Sequence, residues 1–134
     1  MNIAREQKGG GTMATKSLQR TLAVVKAENL KYWIVEVWKQ WAGRRVDLFN
    51  IIDLIVLDNG ILGIQCTGAD FKKHKVKIME EEKSNTFAWL EAGGRLEVHG
   101  WRKLKKKRGG KAMYWACRIA DVLIVNGELY WEER

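Results

Sequence analysis

Residues 46–68, VDLFNIIDLIVLDNGILGIQCTG, decide the fold. Two β-branched runs, residues 51–57 and 61–67, flank Asp58-Asn59-Gly60, and Asn-Gly between such runs is a strong hairpin signal. Two adjacent antiparallel strands are therefore expected. Side chains alternate along a strand, so Ile51, Asp53, Ile55 and Leu57 share one face, and Ile52, Leu54 and Val56 the other. Both faces are apolar. Such a strand is covered on both sides, and a carboxylate inside it is costly unless a metal, a charge or hydrogen bonds compensate.

Register decides whether the polar residues meet. A three-residue loop, Asp58 to Gly60 with Gly60 left-handed, pairs Leu57 with Ile61 and sets Asp53 opposite Gln65. Asp53, Gln65 and Thr67 then line one face. A two-residue loop slips the pairing by one and buries unpaired polar groups on both faces. The first register is the one expected.

Upstream, residues 31–38, KYWIVEVW, read as one strand in which Glu36 alone breaks the apolar pattern. Three successive strands thus each carry a polar exception: Glu36, Asp53, then Gln65 with Thr67. The plainer reading of Glu36 is an ion pair with Arg44 or Arg45 from the polar link at 39–45. Asp47 has the parity of Asp53 but lies six residues before it, roughly 20 Å along a straight strand. It shares a metal with Asp53 only if the chain bends at Phe49-Asn50. Otherwise an ion pair with Arg44 or Arg45 accounts for it.

A strand bearing Asp, a short turn, and a strand bearing Glu-x-Lys resemble the core of the PD-(D/E)XK nucleases, the restriction-endonuclease-like superfamily that includes Holliday junction resolvases and VRR-type nucleases. The wider run SLQRTLAVVKAEN, WIVEVW, VDLFNIIDLI, GIQCTG and WLEAGGRLEVHGWRK is similar to small phage and bacterial members with Gln-x-Thr at the second motif. Here Gln65 stands where the superfamily has an acid, and Thr67 where it has lysine. The resemblance implies a metal-dependent endonuclease on DNA, on branched or flap structures, with Mg²⁺ or Mn²⁺ as cofactor. Asp53 anchors the ion, with the Gln65 amide oxygen, the Cys66 carbonyl and Glu36 as further ligands. Because the superfamily's lysine sometimes comes from the following helix, Lys75 or Lys77 is expected to replace the one absent at Thr67. The alternative is a catalytically weak or inactive nucleic-acid-binding module on the same scaffold.

The rest of the chain frames this site. Residues 1–15 contain Gly9-Gly10-Gly11 without periodicity and read as a flexible tail, leaving 16–134 as a single domain. A helix begins at Thr15 or Ser17 as N-cap, with Leu18, Leu22 and Val25 facing the sheet, and ends near Asn29. A second helical stretch runs from about Asp70, breaks near Ser84-Asn85, and resumes to Ala92, with Val76, Met79, Phe87 and Leu90 inward. Strands follow at 95–104 and 115–125, then a tight Asn126-Gly127 turn into Leu129-Tyr130-Trp131. The fold class is α/β: a mixed central sheet with an antiparallel three-stranded core, flanked by helices.

Lys and Arg number 24 against 16 Asp and Glu, and the excess is clustered. Such clusters suit a polyanion, DNA first, with a homodimer as a further expectation. The phosphate-binding candidates are Lys72, Lys73 and Lys75 at the second helix start, and Arg102, Lys103, Lys105, Lys106, Lys107 and Arg108 at a hairpin tip. Trp101, beside that tip, is the aromatic best placed to stack on an unpaired base. The other six tryptophans fall mostly in strands, where core or interface is expected. Cys66 and Cys117 sit in apolar runs and read as reduced thiols rather than metal ligands through sulfur. No apolar run approaches the ~20 residues of a membrane span, and a cytoplasmic location is expected.

Overall fold

The computed structural model describes residues 15–134; the tail proposed for residues 1–15 lies, but for Thr15, outside the described residues. Thr15 caps the first helix, α1 (Lys16–Ala27), its hydroxyl accepting from the Leu18 N–H at 3.2 Å. That bond satisfies one orphan donor of the first turn. Asn29, left-handed at φ 59°, ends the helix, as the sequence suggests. The stripe Leu18, Leu22 and Val25 is buried together with Thr21.

Six strands form the main sheet in the order β1-β4-β5-β6-β7-β8. They are β1 (Lys31–Ile34), β4 (Leu54–Leu57), β5 (Ile61–Thr67), β6 (Arg95–Lys105), β7 (Met113–Val125) and β8 (Glu128–Glu133). The pairs β1-β4, β4-β5, β6-β7 and β7-β8 are antiparallel, while β5-β6 is parallel. The one parallel pair requires a crossover, and the segment α2 (Phe71–Val76), a π turn (Lys77–Glu81) and α3 (Lys83–Glu91) supplies it. The expected three-stranded antiparallel core and mixed sheet are both present.

Two apolar clusters cover the two sheet faces. Leu18, Leu22 and Val25 of α1 pack with Leu54, Val56, Leu62, Ile64 and Cys66. On the other face Phe71 and Ile78 of the crossover pack with Ile51, Ile52, Leu96, Val98, Ala120 and Val122. The parity rule explains the partition, since Leu62, Ile64 and Cys66 alternate with Gly63, Gln65 and Thr67 along β5. Gly100, opposite Thr67, is needed because a Cβ there would stand 2.3 Å from the Phe71 ring. The seating of α2 on the sheet depends on that gap.

Four expectations are corrected. The strand read over 31–38 stops at Ile34, because the N–H groups of Val35 and Glu36 both turn to the Asp53 carbonyl, at 2.9 and 3.1 Å. The chain then leaves the sheet as a separate hairpin, β2 (Val37–Lys39) and β3 (Arg44–Val46), where the end of that strand and a polar link over 39–45 were read. In the crossover the break falls at Glu82 instead of Ser84-Asn85, and the π turn shifts the helix phase, so Ile78 is buried and Val76 exposed. Of the tryptophans expected in core or interface, Trp33, Trp38, Trp41 and Trp115 are exposed and so stand outside the core.

Candidate metal centre

The hairpin of β4 and β5 has the expected register: Leu57 pairs with Ile61 and Leu54 with Ile64. Its turn differs in detail, for Asn59 takes the left-handed conformation at φ 50° and Gly60 lies at φ 126°. One step beyond the paired residues, the Asp53 N–H donates to the Ile64 carbonyl at 2.9 Å. Asp53 therefore meets Gln65. The Gln65 Nε2 donates to Asp53 Oδ2 at 2.6 Å, and the Cys66 backbone N–H donates to the same oxygen at 2.8 Å. Both Asp53 and Gln65 are buried.

Asp47 joins them. The chain bends where Phe49 and Asn50 adopt φ 53° and 61°, and Leu48 pairs with Ile52 in an isolated antiparallel bridge. Hydrogen bonds from Asn50 N to Asp47 O and from Ile52 N to Leu48 O, both 3.0 Å, close this turn. The distance argument from a straight strand thus does not apply, because the strand begins only at Leu54. Asp47 Oδ2 accepts from Gln65 Nε2 at 3.1 Å.

Glu36 completes the group from the break between β1 and β2. Carboxylate oxygens of Glu36, Asp47 and Asp53 all lie within 4.8 Å of one another, a grouping suited to a metal ion. Asp53 is buried and the other two are partly so. Burial, then the hydrogen bond and charge of Asp47, then Glu36, push the Asp53 carboxyl well above the usual carboxylate range. Burial and next the Asp47 charge also raise Glu36. For Asp47 burial acts upward, but the hydrogen bond with Asp53, the Lys77 charge and the Gln65 amide together outweigh it and leave the group low. Crowding of the three acids thus favours the protonated form of Asp53 over its carboxylate.

Two cations border the three acids. Arg45 Nε lies 3.4 Å from Glu36 Oε1, the ion pair anticipated for that glutamate. Asp47 pairs with Lys77 at 3.1 Å instead of with Arg44 or Arg45. Lys77 Nζ also donates to Gln65 Oε1 at 3.4 Å. Lys75, the other candidate, lies over the Trp131 ring at 5.6 Å. An open polar pocket of about 260 Å³ adjoins the cluster, lined by Arg44, Arg45, Asp47, Asn50, Lys77, Glu81 and Glu82.

Other site residues fall differently from expectation. Gln65 turns its Nε2 to the acids and its Oε1 to Lys77, so its amide oxygen does not face Asp53. Cys66 faces Asp53 through its N–H. Thr67 is buried on the Gln65 side by strand parity. Lys72 and Lys73 are exposed on α2, and Arg102, Lys103, Lys105, Lys106, Lys107 and Arg108 are exposed on β6 and its tip, beyond the Thr67–Gly100 pair. Trp101 is partly buried, its indole N–H donating to Thr21 Oγ1 at 2.9 Å, which tethers it to α1 instead of freeing it to stack. Both cysteines are free thiols; burial raises Cys66 well above its ordinary value and pushes Cys117 up to about 11.

The sequence reading missed a polar chain on the opposite face. His99 bridges Glu97, at 2.8 Å, and Thr21, at 3.3 Å, while Arg134 ties Glu97 to Asp121 at 2.9 Å on each side. The only sequence signal was the alternation of Glu97 and His99 with Leu96 and Val98 in an otherwise apolar strand.

No family model, curated protein or solved structure matches the chain. No helix among the described residues is long and apolar enough to cross a membrane.

Proposed function

We propose that this chain is a metal-dependent nuclease that hydrolyses DNA phosphodiesters, with Glu36, Asp47 and Asp53 as the ligands of a Mg²⁺ or Mn²⁺ ion. The observation that carries this reading is the convergence of three carboxylates from separate segments within 4.8 Å, beside Lys77. The donor set fits such an ion. It is all oxygen, which suits Mg²⁺ or Mn²⁺ over softer metals, and the two bordering cations leave the three carboxylates one charge short of balance. When bound, such an ion polarises a phosphoryl oxygen and lowers the pKa of a bound water.

The chain's own groups account for the rest. Lys77, held by Asp47 and Gln65, presents a cation to the site, and Arg44 and Arg45 line the pocket through which a phosphate reaches it. In hydrolysis the water oxygen bonds to phosphorus, an ester P–O bond breaks, and the leaving oxygen takes a proton. A lysine ammonium at the edge of the carboxylate cluster, paired with Asp47, stabilises the charge that develops on phosphate. The element order α1, β1, β4, β5, crossover, parallel β6 supports the restriction-endonuclease-like reading, with Lys77 in the role of the lysine missing at Thr67. A second reading, a binding module without catalysis, draws on the Gln65 amide, which already satisfies Asp47 and Asp53 by hydrogen bonds.

Incubating the full chain with linear, flap and four-way DNA, with Mg²⁺, with Mn²⁺ and with EDTA, tests the choice. Cleavage only with divalent ion supports the nuclease; none on any substrate leaves the binding module.

A further inference from the structure

The hairpin β2–β3 is built into the acid cluster. Glu36 precedes its first strand and Asp47 follows its last, and Val37 pairs with Val46 at its base. Only two more pairs, Trp38 with Arg45 and Lys39 with Arg44, separate that base from the tip. At ~3.3 Å per residue the four steps from Glu36 to Gln40 put the tip about 13 Å along the hairpin from the carboxylates. There a single 3₁₀ turn, Gln40–Ala42, closed by Gly43 at φ 62°, presents Trp41 with 84% of its surface exposed.

A tryptophan so exposed does no packing for the fold, and its π face is open to a ligand. Its surroundings are cationic: Lys39 and Arg44 lie on the same hairpin with Arg45, which pairs with Glu36, and Arg44 and Arg45 also line the pocket beside Asp47. An aromatic face among cations matches a base and its flanking phosphates. In a duplex both faces of an internal base are already stacked. Away from a duplex end, only an unpaired base offers a free face.

We infer that the β2–β3 tip is a stacking platform for an unpaired base, so that the substrate carries a single-stranded segment next to the bond to be cut. This deepens the nuclease reading and rests on it for the position of the cut. Because Glu36 and Asp47 anchor the two ends of the hairpin, a base held on Trp41 sets the register of the strand against the carboxylates.

The test measures binding of the full chain in EDTA, by fluorescence anisotropy, to a labelled oligothymidylate and to a blunt duplex of the same length. Trp41→Ala is expected to weaken the single-strand complex about tenfold and the duplex complex less than about twofold. Trp41→Phe, which keeps a π face, is expected to restore most of the loss. Equal losses on both DNAs, or no loss on either, overturn the platform. So does a wild-type dimer that Trp41→Ala converts to monomer in sedimentation, since Trp41 then serves a subunit contact. Binding in EDTA needs no hydrolysis, so the two readings fail separately. Absence of divalent-dependent cleavage sinks the nuclease while the single-strand preference stands; a wild type that cleaves but binds single strand and duplex alike sinks the platform alone.

Discussion

Lys77 Nζ lies 3.1 Å from Asp47 Oδ2, joining the helix after β5 to a carboxylate that precedes β4 by a bent turn. Neither residue sits in the hairpin that organises the sheet, yet both meet Gln65, which does. The contact links the crossover to the acid cluster and gives the site a second cation beside Arg45.

Lys77→Ala is expected to lower divalent-dependent cleavage by roughly 10² to 10³, the usual cost of losing one group that stabilises transition-state charge. Lys75→Ala is expected to leave the rate unchanged, since that side chain lies over Trp131. Single-turnover rates on one DNA substrate compare the two. Equal effects would remove Lys77 from its special role.

Asp53 supplies a pH dependence whose sign follows from its raised carboxyl, the work first of burial and then of Asp47 and Glu36. The folded state keeps a proton that the unfolded chain has lost. The contribution to stability is complete below the ordinary value of 3.8 and declines as pH rises through the higher folded value. Asp53→Asn mimics the protonated acid, so at neutral pH without divalent ion it is expected to be more stable than wild type. Its oxygen can still accept from the Cys66 N–H. Added Mg²⁺ should raise the Tm of wild type and leave the variant unmoved, and wild-type cleavage should rise with pH as the metal displaces the proton. A variant less stable than wild type in EDTA would contradict the charge argument.

Gln65→Glu adds a fourth acid where the amide now donates to Asp47 and Asp53. In EDTA the variant should unfold at a lower temperature, because a donor is replaced by a buried like charge. With Mg²⁺ its Tm shift should exceed that of wild type, since a charged oxygen is a better ligand. Calorimetry at matched ion concentrations reads both. A lower Tm with no larger metal response would mean that the acids do not bind the ion.

Asn50→Val probes the bend that brings Asp47 to Asp53. Asn tolerates the left-handed φ of 61° found there, whereas a β-branched residue pays about 1–2 kcal/mol. Urea unfolding should show that loss, and titration of Mg²⁺ should show weaker binding as Asp47 shifts. Asn50→Gly, which accepts the conformation freely, should leave metal affinity near wild type. Equal metal affinity in all three proteins would uncouple the bend from the site.

By itself the sequence determined what is encoded locally. The turn residues between β-branched runs locate the β4–β5 hairpin, and the cost of burying unpaired polar groups selects the register that brings Asp53 to Gln65. The Thr15 cap, the Asn29 stop and the turn at Asn126-Gly127 are likewise set by residues whose conformational preferences act on their own backbone. Only the tertiary structure decided that Asp47 and Glu36 complete the cluster. Phe49 is not a residue that favours a left-handed φ, and it adopts one in a turn closed by the Leu48–Ile52 bridge, with its ring 6.4 Å from Trp89. Glu36 leaves the strand pattern because two N–H groups compete for one carbonyl, that of Asp53, a partner distant in sequence. The choice of Lys77 over Lys75 rests on helix phase at the π turn, set by how Phe71 and Ile78 seat on the sheet. Periodicity reports which face a residue shares with its neighbours in sequence; it carries no information on contacts made by bends and helix phase, and those assemble the site.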